Sequence, residues 1–246
     1  MNTSRSLNAL SSFGEISPKS APRLTTSKPA ALEERLIALL RKHRLRYRAI
    51  RLKPGVGIYN AGDSDRTMYF LEDGTVKISI PTAAGRSCLL EFHRAPMFFG
   101  EIAGINGERA DMAVSRTTVL LRKIPGDAFA EMLKAEDLVQ AFAGYLAARL
   151  SEHQQIITDF ATCSAEERLA ATLLRLGRKL GHTESGVLCV HDRLSCQELA
   201  EMVGTTRSRV GYFLGRFRQL DFVFEDSRRC LRIREDRLEE YLKERA

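Results

Sequence analysis

The chain has 246 residues, which gives room for about two domains. Its 44% hydrophobic and 28% charged residues are typical of a soluble globular protein, and 38 Lys and Arg against 31 Asp and Glu give a net charge of +7, which favours a polyanionic partner. No apolar run approaches the ~18 residues of a membrane span, and the N-terminal stretch lacks the apolar core of a signal peptide. We therefore expect a cytoplasmic protein with no membrane partner.

The first half of the chain changes character twice. Residues 1–30 are rich in Ser, Thr and Pro, and we expect a disordered tail there. Residues 31–46 are predicted to form a short amphipathic helix. The leucines on one side of that helix are Leu32, Leu36, Leu39 and Leu40. From about residue 47 to 125, short strand-like runs alternate with glycine-containing turns, which is typical of an antiparallel barrel or sandwich.

Two stretches within this strand region give more detailed expectations. In VKISI, the residues Val76, Ile78 and Ile80 alternate, which predicts that all three lie on one buried face. FFGEIAGINGERA (98–110) interrupts the strands. It is bounded by glycines, and we expect it to be too polar for the core.

The region after Pro125 returns to a helical period. A short helix is predicted over 127–136 and a long one from about 137 to 162. The long helix has residues separated alternately by three and four positions, namely Val139, Phe142, Leu146, Arg149, His153, Ile156 and Phe160. This heptad spacing predicts pairing with a second copy of the chain, with Arg149 and His153 as polar members that fix register or meet a ligand. The alternative is a helix packed on its own domain.

The stretch LSCQELAEMVGTTRSRVGYFLGRFRQLDFV (194–223) has the pattern of two short helices joined by a tight turn. Ser195 begins a capping box, and Gly204 stands where the first helix ends. Ala200 is small enough for the point where the helices cross, and Val210 can fill the space between them. These features predict a helix-turn-helix motif.

The polar positions of the second helix carry arginines and no acid. The candidate DNA-binding residues are Thr206, Arg207, Ser208, Arg209, Tyr212, Arg216 and Arg218. A basic, hydrogen-bonding helix face fits phosphates and guanine edges in a DNA major groove. The alternative is a solvated charged helix end. A following hairpin, with Arg232 and Arg234 outward, predicts a wing that reaches the phosphate backbone.

Other chemistries are not indicated by the sequence. The five cysteines stand singly and not at metal-binding spacings from each other or from the five histidines, so we expect small buried thiols and no metal site. The sequence has no Ser-His-Asp or Cys-His nucleophile pattern. We therefore expect no enzymatic activity.

Four stretches of the chain, in this order, resemble the CRP/FNR family of bacterial transcription regulators: LKPGVGIYNAGDSDRTMYFLEDGTVKI, FFGE, the long helix ending near AARLSEHQQ, and LSCQELAEMVGTTRSRVGYFLGRF. The resemblance covers nearly the whole chain from about residue 31. It implies an α+β fold, with a jelly-roll-like antiparallel β-roll of the cyclic-nucleotide-binding type over 31–136. It also implies a dimerisation helix over 137–163, a winged helix-turn-helix over 164–246, and a homodimer.

The resemblance also implies an effector site in the roll. Its candidate residues are Gly100, Glu101, Arg109, Ala110, His153 and Gln154. The family's counterpart of Glu101, next to a glycine, takes a ribose hydroxyl, and that of Arg109, with a loop two residues shorter here, pairs with the cyclic phosphate. Ala110 replaces a serine, and His153 and Gln154 replace the Thr and Ser that read adenine. We therefore expect weak binding of cyclic AMP. Another small effector, or none, is the open alternative, as is Glu101 ending the roll with Arg109 at the surface.

The recognition helix and the N-terminal region also depart from the family's pattern. Arg207 matches the first base-reading arginine, whereas Ser208 replaces a glutamate and Tyr212 replaces a base-contacting arginine. The DNA half-site should therefore share only part of the family's usual sequence. Residues 1–50 contain no cysteine, so we expect no iron–sulfur cluster of the family's N-terminal type.

The sequence thus predicts a homodimeric, sequence-specific transcription regulator that binds a palindromic site in double-stranded DNA. A cyclic nucleotide or another small effector at the roll would modulate it, and an activator would contact RNA polymerase. The alternative is a cyclic-nucleotide-binding sensor module that acts through protein contacts and carries a vestigial helix-turn-helix.

Overall fold

The computed structural model describes residues 30–43, 46–82, 85, 87–226 and 230–245. The predicted tail lies outside these residues except for Ala30, and so do the side chains of Leu32 and Leu36. Within the described ranges, no helix combines the length and the apolar character that a bilayer crossing requires.

The strands between residues 49 and 125 form two facing antiparallel sheets. They are β1 (Ala49–Leu52), β2 (Gly57–Tyr59), β3 (Thr67–Asp73), β4 (Thr75–Pro81), β5 (Ser87–Arg94), β6 (Met97–Phe99), β7 (Met112–Ser115) and β8 (Val119–Pro125). The strand orders are β1-β8-β3-β6 and β2-β7-β4-β5. Buried side chains of both sheets, including Leu71, Val76 and Leu121, join in one hydrophobic cluster. The predicted antiparallel roll is confirmed.

Strand β4 contains a register shift that changes its buried face. Val76 and Ile78 are buried as predicted, but Ile80 is 37% exposed and Ser79 takes the buried position. The pairing with β5 slips between Ile78 and Ser79, which marks a β-bulge. The expectation that Ile80 continues the buried face was wrong, because a one-residue slip turns the following side chains over.

Part of the segment 98–110 is built into the core, while Ile102, Glu108 and Ala110 are exposed. Its two phenylalanines are fully buried in β6, and the short helix α2 (Glu101–Asn106) follows. Glu101 and Arg109 are buried as well. The expectation that this segment is too polar for the core was wrong, because charged side chains can be buried when they have partners.

Three helices cover the outer face of the β1-β8-β3-β6 sheet. They are α1 (Ala30–His43), α3 (Gly126–Ala135) and α4 (Val139–Thr162), and they lie near the predicted positions. Leu40, Phe98, Phe129 and Phe142 meet in a second hydrophobic cluster between this sheet and the helices. The long helix therefore begins as a part of the roll's own packing.

The apolar side chains of α4 divide between two sides of the helix. Phe142 is buried in the cluster on the roll, and Arg149 pairs with two carboxylates of the roll. The predicted seam was wrong at these two positions, because both face the chain's own domain. The large apolar side chains left exposed on α4 are Val139, Leu150, Ile157 and Phe160. Leu150 and Ile157 are 60% and 67% exposed and stand one heptad apart.

The C-terminal part is a helical unit with one antiparallel sheet. Its elements are α5 (Ala165–Leu180), β9 (His182–Glu184), β10 (Val187–Val190), α6 (Cys196–Val203), α7 (Arg207–Gln219), β11 (Val223–Glu225), β12 (Leu231–Arg234) and α8 (Glu235–Lys243). The sheet has the order β11-β12-β10-β9. The capping box predicted at Ser195 is present, and a second one at Ser164 begins α5. Strand β9 was not predicted, since all three of its residues are exposed and no apolar alternation marks it.

The roll and the C-terminal unit touch along β5 and α6. Leu89 and Phe92 of β5 lie in the same hydrophobic cluster as Leu199 of α6. Arg116, just after β7, lies with its guanidinium 4.8 Å from the centre of the Phe92 ring and donates to Glu198 at 3.0 Å. Glu198 also completes the cap of α6, so one carboxylate joins the start of that helix to the roll.

Candidate DNA-binding surface and effector site

The turn between α6 and α7 requires glycine for two reasons. Gly204 has a φ of 65°, in the left-handed region, and its N–H donates to the carbonyl of Ala200. A Cβ added to Gly204 would lie 2.7 Å from a ring carbon of Phe160 in α4. Ala200 and Val210, on either side of the turn, are buried as predicted. The helix-turn-helix is therefore held both by its own turn and by the end of the long helix.

The first turn of α7 presents polar side chains to solvent. Thr206 caps the helix, with its Oγ1 accepting the N–H of Arg209 at 3.3 Å. The exposed residues here are Thr206, Arg207, Ser208, Arg209 and Tyr212. Val210, Phe213, Leu214 and Phe217 are the buried residues of the same helix. The first turn has no acidic residue, so the positive end of the helix dipole and the arginines act together on an anion.

Two candidate arginines further along α7 are paired within the chain. Arg216 is half-buried and donates to Glu166 of α5 at 3.0 Å, which ties α7 to α5. Arg218 is exposed and donates to Glu225 of β11 at 3.0 Å. The structure thus brings Arg218 to the surface beside the wing and uses Arg216 in helix packing.

The wing arginines are held by carboxylates. Arg232 donates to Asp226 through Nε at 3.1 Å and through Nη2 at 2.9 Å, and to Glu184 through Nη1 at 2.6 Å. Arg234 pairs with Asp221 at 3.0 Å. The expectation that Arg232 points outward to phosphates was wrong, because its guanidinium is fixed within the wing sheet.

In the roll, Arg109 is buried and its terminal nitrogens are taken. Nη1 donates to the carbonyl of Gly100 at 3.1 Å, and Nη2 donates to the carbonyl of Thr67 at 2.5 Å and to the carboxylate of Asp65. The guanidinium lies 4.2 Å from the centre of the Tyr59 ring. Arg109 is therefore not a surface residue.

Electrostatics around Arg109 favour the present pairing. Burial acts to raise the pKa of Asp65, but the N–H of Thr67 and the Arg109 guanidinium outweigh it and hold that pKa below its usual value. Burial raises the pKa of the neighbouring Tyr69 to about 12. The Nε of Arg109 is buried and has no hydrogen-bond partner among the described residues. A cyclic phosphate would thus find the Nε donor of Arg109 unused and would compete with the three hydrogen bonds that its terminal nitrogens already make.

A chain of charges runs from α2 through α4 to α5. Arg149 of α4 pairs with Glu101 at 2.7 Å and also with Glu91 of β5. Lys179 of α5 donates to the other oxygen of Glu91 at 2.6 Å. Burial opposes ionisation of Glu91, yet the cationic groups around it hold its pKa well below the usual range. Glu101, the predicted ribose partner, is therefore already bound to a cation from the long helix.

The other candidate effector residues, Ala110, His153 and Gln154, do not join the contacts around Glu101 and Arg109. Ala110 is exposed at the surface of the roll. His153 is half-buried one turn after Arg149, close enough to the buried His93 for its charge to help lower the pKa of that residue. Gln154 is exposed, and its carbonyl accepts a hydrogen bond from Thr158. The structure thus brings together Gly100, Glu101 and Arg109, with Arg149 in addition.

Sequence reasoning missed two residues of the roll's site and one residue of the contact between the roll and the C-terminal unit. Asp65 lies in the NAGDSD stretch, which the sequence marks only as a turn. Glu91 interrupts the apolar run CLLEF, and a charge within such a strand was the available signal for a buried partner. Arg116 has no comparable signal, because its partner Glu198 lies 82 positions away.

Comparison with known proteins supports both halves of this description. Residues 49–136 match the family described as "Cyclic nucleotide-binding domain", and residues 167–241 match the "Crp-like helix-turn-helix domain". The Global nitrogen regulator of Synechocystis sp. is 31% identical over 170 residues, which are 68% of this chain and 76% of that protein. The first matched segment contains Glu101 and Arg109, and the second contains α7.

Two further relatives agree. The cAMP-activated global transcriptional regulator CRP of Haemophilus influenzae is 26% identical over 161 residues, which are 63% of this chain and 70% of that protein. A crystal structure of a CRP/FNR-family transcriptional regulator from Thermus thermophilus has a TM-score of 0.64 and 26% identity, and the match covers 81% of this chain and 100% of that one.

Proposed function

The chain belongs to the CRP/FNR family of transcription regulators, and from that premise we propose that it binds a palindromic site in double-stranded DNA as a homodimer. The exposed, acid-free first turn of α7 is the observation that carries this proposal. We propose a sensor domain over 31–136, a dimerisation helix over 137–163 and a DNA-binding domain over 164–246. The protein acts by binding and not by catalysis, and as an activator it contacts RNA polymerase.

Sequence is read by the exposed residues at the start of α7. Arg207 offers two parallel N–H donors, which suit the O6 and N7 of guanine. Ser208, Arg209 and Tyr212 complete the groove-facing set. Arg218 lies nearer the phosphates and exchanges Glu225 for a phosphate when DNA is bound, because its pair with Glu225 is solvent-exposed and weak, whereas contact with a phosphate releases counterions from the DNA.

The homodimer forms along the apolar stripe that α4 leaves at the surface. Leu150 and Ile157 are large, apolar and exposed, and they repeat at the seven-residue interval of a paired helix. Pairing along this stripe sets two copies of α7 side by side. DNA half-sites ~34 Å apart then meet one recognition helix each.

The effector site of the roll is internally occupied, and we propose that a ligand must displace these contacts to bind. A ribose hydroxyl would compete with Arg149 for Glu101, and a cyclic phosphate would compete with Asp65 for Arg109. Cyclic AMP should therefore bind weakly. Another small effector with a cationic or anionic group of its own can replace one partner of the pairs at Glu101 and Arg109. We propose further that DNA binding does not depend strictly on cyclic AMP.

A signal at the roll reaches α7 through the charges that join the two halves. An effector that takes Glu101 leaves Arg149 with Glu91, the carboxylate that also receives Lys179 of α5. A change in the pairing of Glu91 with Arg149 therefore changes the ion pair between Glu91 and Lys179, which attaches the roll to α5. The contact of Arg116 with Glu198 acts at the start of α6 in the same way.

The proposed DNA binding is tested by selecting ligands from random duplexes with the purified full chain. A palindromic consensus, bound with an affinity that falls steeply with salt concentration, is the expected result. A sensor module with a vestigial helix-turn-helix would enrich no sequence, and that outcome would remove the proposal in favour of the alternative.

A further inference from the structure

A second cluster of ligand-type side chains lies on the wing sheet, far from the roll's effector site in sequence. The register of the sheet places Cys189 of β10 opposite His182 of β9 on one side and opposite Arg232 of β12 on the other. Glu184 stands two residues after His182 and so lies on the same face of β9. A nitrogen of His182, a carboxylate oxygen of Glu184 and the sulfur of Cys189 all lie within 4.8 Å of one another.

We propose that His182, Glu184 and Cys189 bind a thiophilic divalent cation, for which Zn²⁺ is the best match. Zn²⁺ accepts imidazole nitrogen, thiolate sulfur and carboxylate oxygen, and three protein ligands with a water in the fourth position form a common site. The thiol makes the site selective against Mg²⁺ and Ca²⁺, which prefer oxygen. On binding, the S–H bond of Cys189 breaks, its proton passes to solvent, and the sulfur bonds to the metal.

Two of the three proposed ligands, Glu184 and Cys189, already hold a cationic group, the guanidinium of Arg232. Its Nη1 donates to Glu184 at 2.6 Å and to Cys189 at 2.8 Å. The same guanidinium holds Asp226 through Nε and Nη2. Arg232 can therefore release Glu184 and Cys189 to a metal ion while it keeps its second carboxylate, so the exchange leaves no charge without a partner.

Two neighbouring side chains support the site. His191, just after β10, stacks its ring on that of His182, with centroids 5.0 Å apart and planes 12° apart. This stacking restrains the orientation of His182. The Nδ1 of His191 lies 2.7 Å from the sulfur of Cys230, and this contact restrains the His191 ring in turn.

Spacing along the chain gives no sign of this cluster. His182 and Glu184 lie in a strand with no apolar alternation, and Cys189 is a single thiol in an apolar run. The site arises from the pairing of β9 with β10 and of β10 with β12, which linear metal motifs do not describe.

Cobalt substitution tests the proposal on the full chain, kept reduced with a phosphine instead of a thiol, freed of metal by a chelator and then freed of that chelator. One equivalent of Co²⁺ should produce a thiolate-to-cobalt charge-transfer absorption, which Zn²⁺ then removes by displacement. Cys189→Ser should abolish the absorption, and Glu184→Gln should weaken cobalt binding. Cys163→Ser, at the end of α4, serves as the matched thiol control and should leave the absorption unchanged.

Arg232→Gln gives the sharpest test, because the proposal makes Arg232 a competitor of the metal. This substitution should tighten cobalt binding by roughly two- to fivefold, the equivalent of one exposed ion pair. Absence of the absorption in the wild type, its survival in Cys189→Ser, or weaker binding by Arg232→Gln would each overturn the proposal. If Cys189→Ser does not fold, Glu184→Gln decides at an exposed position, and binding equal to wild type would then count against the site.

Discussion

The first turn of α7 and the interior of the roll both depend on arginines but place them in opposite surroundings. Arg207 and Arg209 are exposed on a helix whose shape is set by its own cap and turn. Arg109 is buried and Arg149 is half-buried, and both are held by carboxylates or carbonyls from distant parts of the chain. An exposed charge is available to a polyanion at once, whereas a buried pair must be opened before a ligand can use it, and opening it leaves a buried charge without a partner.

This difference explains why one surface is ready to bind and the other is not. DNA can bind Arg207 and Arg209 without breaking any contact that shapes α7. An effector in the roll must replace Arg149 at Glu101. The roll is therefore better suited to respond to a ligand by rearranging than to hold cyclic AMP in the arrangement that the structure shows.

The largest effect should come from opening the buried charges. Arg149→Leu leaves Glu91 and Glu101 without their shared cation, and removal of one partner from a buried ion pair destabilises a protein by about 3–5 kcal/mol. Urea unfolding should show this loss. Arg149→Lys is the matched control, since it keeps the charge and should recover part of the stability. Equal stability of wild type and Arg149→Leu would mean that the charges in the roll are solvated and not paired.

A smaller effect is expected at the exposed stripe of α4. Leu150→Asp with Ile157→Asp would place two carboxylates per chain in the dimer interface and should raise the dimer dissociation constant at least about 100-fold, because unpaired charges are poorly tolerated there. Gly144→Asp places the same charge on another side of α4, where an added Cβ meets nothing within 4 Å, and should leave the dimer intact. Light scattering gives the mass of each protein. A dimeric double variant would move the interface away from this stripe.

Acid should weaken the roll before it weakens exposed parts of the molecule. The pKa of His93 is lowered from 6.5 to about 3, chiefly by burial and further by the positive charges of Lys179 and Arg149. Glu91, 3.6 Å away, acts to raise this pKa, but its effect is smaller than the other effects combined. Below pH 6.5, His93 is therefore protonated in the unfolded state but stays neutral in the folded state. The stability associated with His93 is present above that pH and is lost as pH falls.

Between pH 6.5 and 5, above the range where carboxylates titrate, the loss from His93 should approach about 1.4 kcal/mol per pH unit. Urea unfolding at several pH values measures the slope. His93→Gln should give a shallower slope than the wild type. The same slope in both proteins would show that His93 is not the group responsible.

Local features of α7 could be predicted from the sequence, and the charge pairs of the roll could not. The cap at Thr206, the turn at Gly204 and the buried stripe depend on neighbours within a few positions, so the pattern of residue types specifies them. Arg109 and Asp65 are 44 positions apart, and Arg149 and Glu91 are 58 apart. Such pairs depend on how the sheets assemble.

The long helix shows the same limit in one element. A heptad period identifies the sides of a helix but not what covers each side. Phe142 and Arg149 fit the period and yet face the roll, because the roll offers them an aromatic cluster and two carboxylates. Leu150 and Ile157 fit a neighbouring stripe and stay exposed. Only the folded arrangement of β5, α2 and α4 separates the two stripes.

The most direct measurement compares the affinity of wild type, Arg207→Ala and Arg218→Ala for the selected palindrome and for single-base variants of it, at several salt concentrations. We expect Arg207→Ala to lose about 1–3 kcal/mol at the specific site and to relax the preference at one base position in each half-site. Arg218→Ala should weaken specific and non-specific binding alike and lower the salt slope by about one per subunit. An Arg207→Ala protein that keeps the full preference at every position would contradict the assignment of α7 as the helix that reads DNA.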